Sequence, residues 1–311
     1  MDERTCPNCG AQHAARLFTK RRVDYWSCAG CRFRFATPAV DPNFAPTLDS
    51  YEQAYLQYLE PHPADRANFE SLYEWMTGIA SIEGTRLLDV GAGSGKFVRY
   101  LRGRGVDAVG IEPARALFDR FLAGDAAFTC ASLDEIRGTH RPFPVVTAFD
   151  VIEHVADPHR FLRGIAGVLD PGGVFFLSTP DVESLTARLF GKRWHFYYPY
   201  HLSYFGPRTL GAAAGRHGLQ LIARTHRGRR RSIGYVIRYA AEFICGTAAP
   251  AWAGRFDDMY VPLNLFDTMY VAFRRDTPVS SCGVSRRPDI IALKCHHEDA
   301  MTRRPHEEEN R

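Results

Sequence analysis

Three groups of residues have the types and spacings that chemistry requires. Cys6-Pro-Asn-Cys9 and Cys28-Ala-Gly-Cys31 are two C-x-x-C knuckles separated by eighteen residues. Each knuckle turns so that both thiolates reach one ion, and four thiolates suit tetrahedral zinc with no open position. The second group is Asp89-Val-Gly91-Ala-Gly93-Ser-Gly95, followed by Glu112. Its glycines let the backbone turn with positive φ and let a ligand approach the main chain without a Cβ in the way. The third is Asp150-Val-Ile-Glu153-His154, two carboxylates and an imidazole within an otherwise apolar run. Such a set can hold a divalent metal that orients a hydroxyl, it can present a lone imidazole as a general base, or its Glu153-His154 pair can serve only to order the loop.

The elements that must position these residues follow from pattern. Leu87 to Val90 is a short apolar run fitting a buried parallel strand, and a helical pattern opens at Lys96. That helix start would present unpaired N–H groups to an anionic or polar ligand. A second strand, Asp107 to Ile111, ends in Glu112, where a βαβ unit places an acid on ribose hydroxyls. Strand, glycine loop, helix and acid together read as a nucleoside site. A dinucleotide fingerprint is G-x-G-x-x-G, whereas here the third glycine comes one residue sooner and Asp89 precedes the first by two.

Asp-x-Gly-x-Gly-x-Gly resembles the first motif of class I S-adenosylmethionine-dependent methyltransferases, and Glu112 matches their second. The resemblance continues at Asp150-Val-Ile-Glu-His-Val-Ala-Asp157-Pro158, similar to the small-molecule and sugar-type members, and at Leu169-Asp-Pro-Gly-Gly before an apolar strand. The opening of strand four departs from the family, with Phe143-Pro144 where Phe-Asp is usual. The resemblance implies a Rossmann-like α/β fold with a seven-stranded, mostly parallel sheet and helices on both faces. It implies S-adenosylmethionine as methyl donor, held by Asp89, Gly91, Gly93, Gly95 and Glu112. The loop Ser132, Leu133, Asp134 would border the adenine; as an exposed loop acid, Asp134 would instead have no such role. Related ubiquinone-pathway and small-RNA enzymes use residues like Asp150, Glu153 and His154 for a metal.

Residues 190–206, rich in Trp, Tyr, Phe and His, suit a substrate lid on the cofactor side, with His195 and His201 as bases or His201 as a hydrogen-bonding anchor. The catalytic candidates are therefore His154, His201, Asp150 and Glu153. The expected organisation is a zinc ribbon over 1–40, a linker and helices over 41–84, the methyltransferase domain over 85–275 and a disordered tail over 276–311. Within the ribbon, Arg32 and Arg34 alternate with Phe33 and Phe35; the ribbon either grips substrate or serves only folding and docking. Tyr51, Tyr55, Tyr58 and Leu59 recur at helical spacing, a packing stripe upstream of the core. In the tail, Cys282, Cys295, His296 and His297 read as incidental.

The chain has 311 residues, 45% of them hydrophobic, and a net charge of +4. That balance is ordinary for a globular protein and weak as a polyanion signal. The run Arg227, Arg229, Arg230, Arg231 reads as a solvated loop. No apolar stretch is long enough for a membrane, and the opening Met-Asp-Glu-Arg-Thr lacks a signal-peptide core, so a cytoplasmic location is expected. The partner expected is a small-molecule acceptor, a sugar nucleotide or other metabolite, methylated on oxygen. An RNA methyltransferase with a ribbon that contacts phosphates is the first alternative, and a non-catalytic donor-binding scaffold the second.

Overall fold

The computed structural model describes residues 4–37, 56, 59–241 and 247–277. Tyr51, Tyr55, Tyr58, the prolines of the linker and the tail residues Cys282, Cys295, His296 and His297 lie outside them. The N-terminal module is a meander of β1 (Ala14–Lys20), β2 (Val23–Cys28) and β3 (Arg34–Ala36), antiparallel throughout. Helix α1 (Asp65–Thr77) then leads to β4 (Arg86–Val90), α2 (Lys96–Arg102), β5 (Asp107–Ile111), α3 (Arg115–Phe121) and β6 (Phe128–Thr129). After them come α4 (Leu133–Ile136), β7 (Phe143–Phe149), α5 (Pro158–Val168) and β8 (Leu169–Pro180).

Helix α5 shows why these elements form where they do. Asp157 accepts a hydrogen bond from the Arg160 N–H, Pro158 fills the first turn, and Phe161, Leu162, Ile165 and Val168 are buried at helical spacing. The second half of the chain adds α6 (Leu185–Phe190), β9 (Ser203–Tyr204), α7 (Pro207–Gly215), β10 (Leu219–His226), β11 (Arg229–Ser232), α8 (Ile233–Tyr239), β12 (Tyr260–Leu263) and β13 (Thr268–Arg275).

Seven strands form the main sheet in the order β10-β13-β8-β7-β4-β5-β6. Strands β4 to β8 pair in parallel, and β13 runs antiparallel between β8 and β10. This is the expected seven-stranded, mostly parallel Rossmann-like sheet. The order reverses at β4, whose neighbours are β5 on one side and β7 on the other. Crevices at the carboxyl ends of such strands are where open α/β sheets bind ligands. The Asp170–Gly173 turn is absorbed into β8: between the pairs Phe143↔Leu169 and Val145↔Val174, β8 advances five residues and β7 only two.

The ribbon does not stand apart. Strand β9, from the aromatic segment, pairs with β3 (Arg34↔Tyr204, Phe35↔Ser203) and completes a four-stranded sheet with it. Trp194, Tyr197, Tyr204 and Tyr25 are fully buried together, with Phe18 stacked on Tyr25. Each such ring contributes about 2 kcal/mol by burial. The aromatic segment is thus a core shared with the ribbon rather than a free flap.

Candidate active site

The four cysteine sulfurs lie within 4.8 Å of one another. Cys6 to Cys31 is 3.7 Å and Cys9 to Cys28 is 3.6 Å. Thiolates at about 2.3 Å from a tetrahedral zinc stand about 3.8 Å apart, so the set fits that ion and is too wide for a disulfide. Burial raises the Cys6 thiol, while at Cys28 burial is outweighed by N–H groups of the loop, which bring it down to about 7. Asn8 Nδ2 donates to the Cys31 sulfur at 3.5 Å.

The glycine loop leaves β4 at the reversal point. Gly95, at φ 74°, caps α2, and a Cβ there would stand 2.6 Å from Phe128. Gly93, at φ 57°, is different: among the described residues a Cβ would meet Leu59 alone, at 3.4 Å, and glycine there lets a ligand approach the main chain closely. Glu112 accepts hydrogen bonds from the N–H groups of Gly93 and Ala114, both at 2.9 Å, which fixes the acid against the loop. Asp89 is buried and accepts from Thr147 Oγ1 at 2.6 Å. Burial, against the help of Thr147 and with the neighbouring Glu112, pushes its carboxyl up to about 7.

The loop after β7 abuts this one, since a Cβ on Gly91 would stand 2.8 Å from Val151. Glu153, His154 and His201 bring one donor atom each within 4.8 Å of one another, with the imidazole centroids 4.7 Å apart. His154 Nδ1 lies 3.0 Å from the Tyr200 carbonyl and His201 Nδ1 2.9 Å from that of Phe196. Carbonyls only accept, so both Nδ1 atoms carry the proton and both Nε2 lone pairs remain for a metal or a proton. Burial, together with neighbouring His154, pushes His201 down to about 3, which keeps it neutral. Burial likewise lifts Glu153 to about 8, with Asp150 adding to the rise, while Thr179 Oγ1 donates to its carboxylate at 3.0 Å. Two imidazole nitrogens and a carboxylate are a ligand set for a first-row divalent ion, with positions left open.

Residues 55–224, over half of the chain, match the methyltransferase domain family. The chain belongs to that family, that of the class I S-adenosylmethionine-dependent methyltransferases. The C-methyltransferase NovU of Streptomyces niveus is 30% identical over 152 residues, 46% of this chain and 35% of the relative. The ubiquinone biosynthesis O-methyltransferase of Azorhizobium caulinodans is 33% identical over 121 residues, 36% of this chain and 48% of its own. The chain thus aligns with less than half the length of either relative. Among solved structures, a chain of the complex between the Haloferax volcanii Trm112 methyltransferase activator and its methyltransferase superposes with a TM-score of 0.50 at 18% identity, covering 68% of this chain and 91% of that one. That likeness concerns the fold. No helix among the described residues is long and apolar enough to cross a membrane.

Two expectations change. Asp150 does not join Glu153 and His154: it sits at φ 56°, accepts from Ser178 Oγ at 2.6 Å and pairs with Arg229 at 2.6 Å. Burial alone would raise its carboxyl, but the Arg229 guanidinium outweighs that and holds it below the ordinary value. His201, from the aromatic segment, takes the third place in the cluster instead. The Arg227–Arg231 run is not a solvated loop. Arg229–Ser232 is a strand paired with β12, Arg227 donates to the Ser71 carbonyl at 2.6 Å, and Arg229 reaches both Asp150 and Tyr270. Local charge density said solvent; the pairing partner thirty residues on, which no local pattern reveals, decides otherwise.

The remaining candidates have definite places. Ser132 and Glu135 form a capping box for α4, Leu133 packs beneath Gly164, and Asp134 pairs with Arg160 at 2.6 Å. These contacts order the loop. His195 bonds the Tyr239 hydroxyl at 3.0 Å and lies 3.8 Å from Asp267, within the aromatic wall. Sequence reasoning missed Thr147, Thr179, Ser178 and Arg229, whose roles arise only from strands brought side by side.

Proposed function

We propose that the methyltransferase acts on a hydroxyl of a small metabolite or sugar-type acceptor, with the chemistry centred on Glu153, His154 and His201. The observation that carries this reading is the convergence of those three donors on the loop that packs against the donor-binding glycines. S-adenosylmethionine supplies a methyl group already activated on sulfonium. What remains for the protein is to align an acceptor in line with that bond and to manage its proton. Asp89, Gly91, Gly93, Gly95 and Glu112 would hold the donor, with Ser132, Leu133 and Asp134 ordering the adenine-side loop. His154 and His201, each with its Nδ1 proton committed to a carbonyl, would take the acceptor proton at Nε2, or would ligate a divalent ion together with Glu153. Asp150, charged and held by Arg229, would orient the acceptor from the same loop.

The cysteine set would bind a structural zinc, in keeping with its sulfur spacing. The domain division is a ribbon over 1–40, connecting helices to 84 and the catalytic domain over 85–275. Transfer to carbon is the second reading, favoured by the name of the Streptomyces niveus relative.

The test is calorimetric titration with S-adenosylmethionine, metal analysis, and release of S-adenosylhomocysteine across hydroxylated acceptors with and without divalent ions. Donor binding and metal-stimulated turnover on a hydroxyl are expected. Donor binding with turnover indifferent to loss of both histidines would sink the assignment.

A further inference from the structure

A cavity of about 680 Å³ opens between the ribbon and the catalytic domain, and four arginines line it: Arg32 and Arg34 from the ribbon, Arg188 from α6 and Arg208 from α7. One acid, Glu183, shares the lining. The convergence is made by folding, because these four come from three distant segments. Elsewhere arginines pair with acids, as in Arg99–Asp125, Arg120–Glu60, Arg160–Asp134 and Arg238–Asp257. Among the described residues Arg32, Arg188 and Arg208 have no ion pair, and the Arg34 side chain donates to the Tyr197 hydroxyl at 2.7 Å.

Two of the four occupy positions that cost stability. The first knuckle ends in Gly10 at φ 76°, whose N–H returns to the Cys6 carbonyl; the second makes the same turn with Arg32 at φ 62°, whose N–H returns to Cys28. Glycine is the residue for that conformation, and a long side chain there is strained. Arg208 stands in the first turn of α7, where the helix dipole disfavours a cation. A bound anion would relieve both the mutual repulsion of the guanidiniums and the dipole conflict. Guanidinium forks match phosphate oxygens bidentately.

The cavity also connects to the chemistry. Arg34 pairs with Tyr204, the Ala36 N–H donates to the Leu202 carbonyl at 2.9 Å, and the Leu202 N–H donates to the Glu153 carbonyl at 2.7 Å. We propose that this arginine-lined cavity binds the phosphate or diphosphate of a phosphorylated small-molecule acceptor, anchoring its non-reacting end while the Glu153–His154–His201 cluster faces its hydroxyl. The inference rests on the small-molecule reading above. A nucleic-acid track is the poorer fit: Arg227 and Arg229, from the chain's other arginine cluster, are spent on Ser71 and Asp150.

The experiment is calorimetry of the full chain with inorganic pyrophosphate, a short single-stranded oligoribonucleotide and S-adenosylmethionine. Wild type is compared with the exposed pair Arg188→Ala/Arg208→Ala, and separately with Arg32→Ala after its metal content is verified. Pyrophosphate affinity is expected to fall about tenfold per arginine removed, with donor affinity unchanged. Absence of pyrophosphate binding by wild type, or equal binding by the variants, overturns the proposal. Tighter oligoribonucleotide binding lost in the same variants would replace the small molecule by RNA. Pyrophosphate binding that survives without any donor binding would fault the catalytic reading and leave the cavity standing.

Discussion

The cysteine cluster and the Glu153–His154–His201 cluster sit at the two ends of one hydrogen-bonded path through β3 and β9, yet they are built on opposite plans. The first takes four thiolates from two identical turns within 31 residues, and its donors are all alike. The second takes an acid and an imidazole from the turn after β7 and another imidazole from the aromatic segment. Each imidazole is oriented by a backbone carbonyl, and the acid by Thr179. Four equal donors complete a coordination sphere and leave nothing for substrate; three mixed donors leave room. The number and kind of ligands thus separate a site that holds a fold from one that can act on a molecule.

Removing one thiolate should have the largest effect. Cys28→Ser should lose the bound metal and unfold the ribbon, and because β9 pairs with β3 the aromatic wall should loosen too; metal analysis and hydrogen exchange over 194–205 would register both. His201→Asn, at the other cluster, should lower turnover by about 10²-fold or more while donor binding stays unchanged by calorimetry. Mild chelation should divide the two sites: turnover falls and returns with added divalent ion, whereas the cysteine-bound metal and the melting temperature persist.

Smaller effects test the surroundings. Arg229→Gln removes the partner that depresses Asp150. A depressed carboxyl contributes stability above its unfolded value of about 3.9 and loses it as pH falls through the lower folded value. The variant should therefore be less stable by about 1 kcal/mol at neutral pH, and the difference from wild type should shrink as pH falls from about 4 through the lower folded value. Thr147→Val should weaken donor binding only several-fold, through the lost bond to Asp89 of about 1 kcal/mol.

Much of this was readable from the sequence because it is local. The glycine loop and Glu112 are set by neighbours within a few residues, and the seven-stranded, mostly parallel sheet followed from the family they resemble. The cysteine spacing was similarly self-contained. What escaped was non-local. Asp150 looked like a ligand because Glu153 and His154 stand beside it in sequence, but the left-handed turn at Asp150 aims its carboxylate at Ser178 and Arg229. Arg229 looked solvated because its neighbours are charged, although its strand partner is Leu263. The aromatic segment read as a lid because hydrophobicity cannot tell a surface waiting for substrate from one already filled by Tyr25 and Phe18.

The pairing of β3 with β9 sets a timetable for the newly made chain. Arg34 leaves the ribosome 170 residues before its partner Tyr204. At about 5–20 residues per second, the ribbon's outer strand waits about 10–30 seconds with its backbone groups unclaimed. Among the three clustered donors, His201 is translated last, only moments before that strand arrives. A nascent chain can therefore close its cysteine turns early, while the Glu153–His154–His201 cluster and the ribbon's exposed edge are completed together.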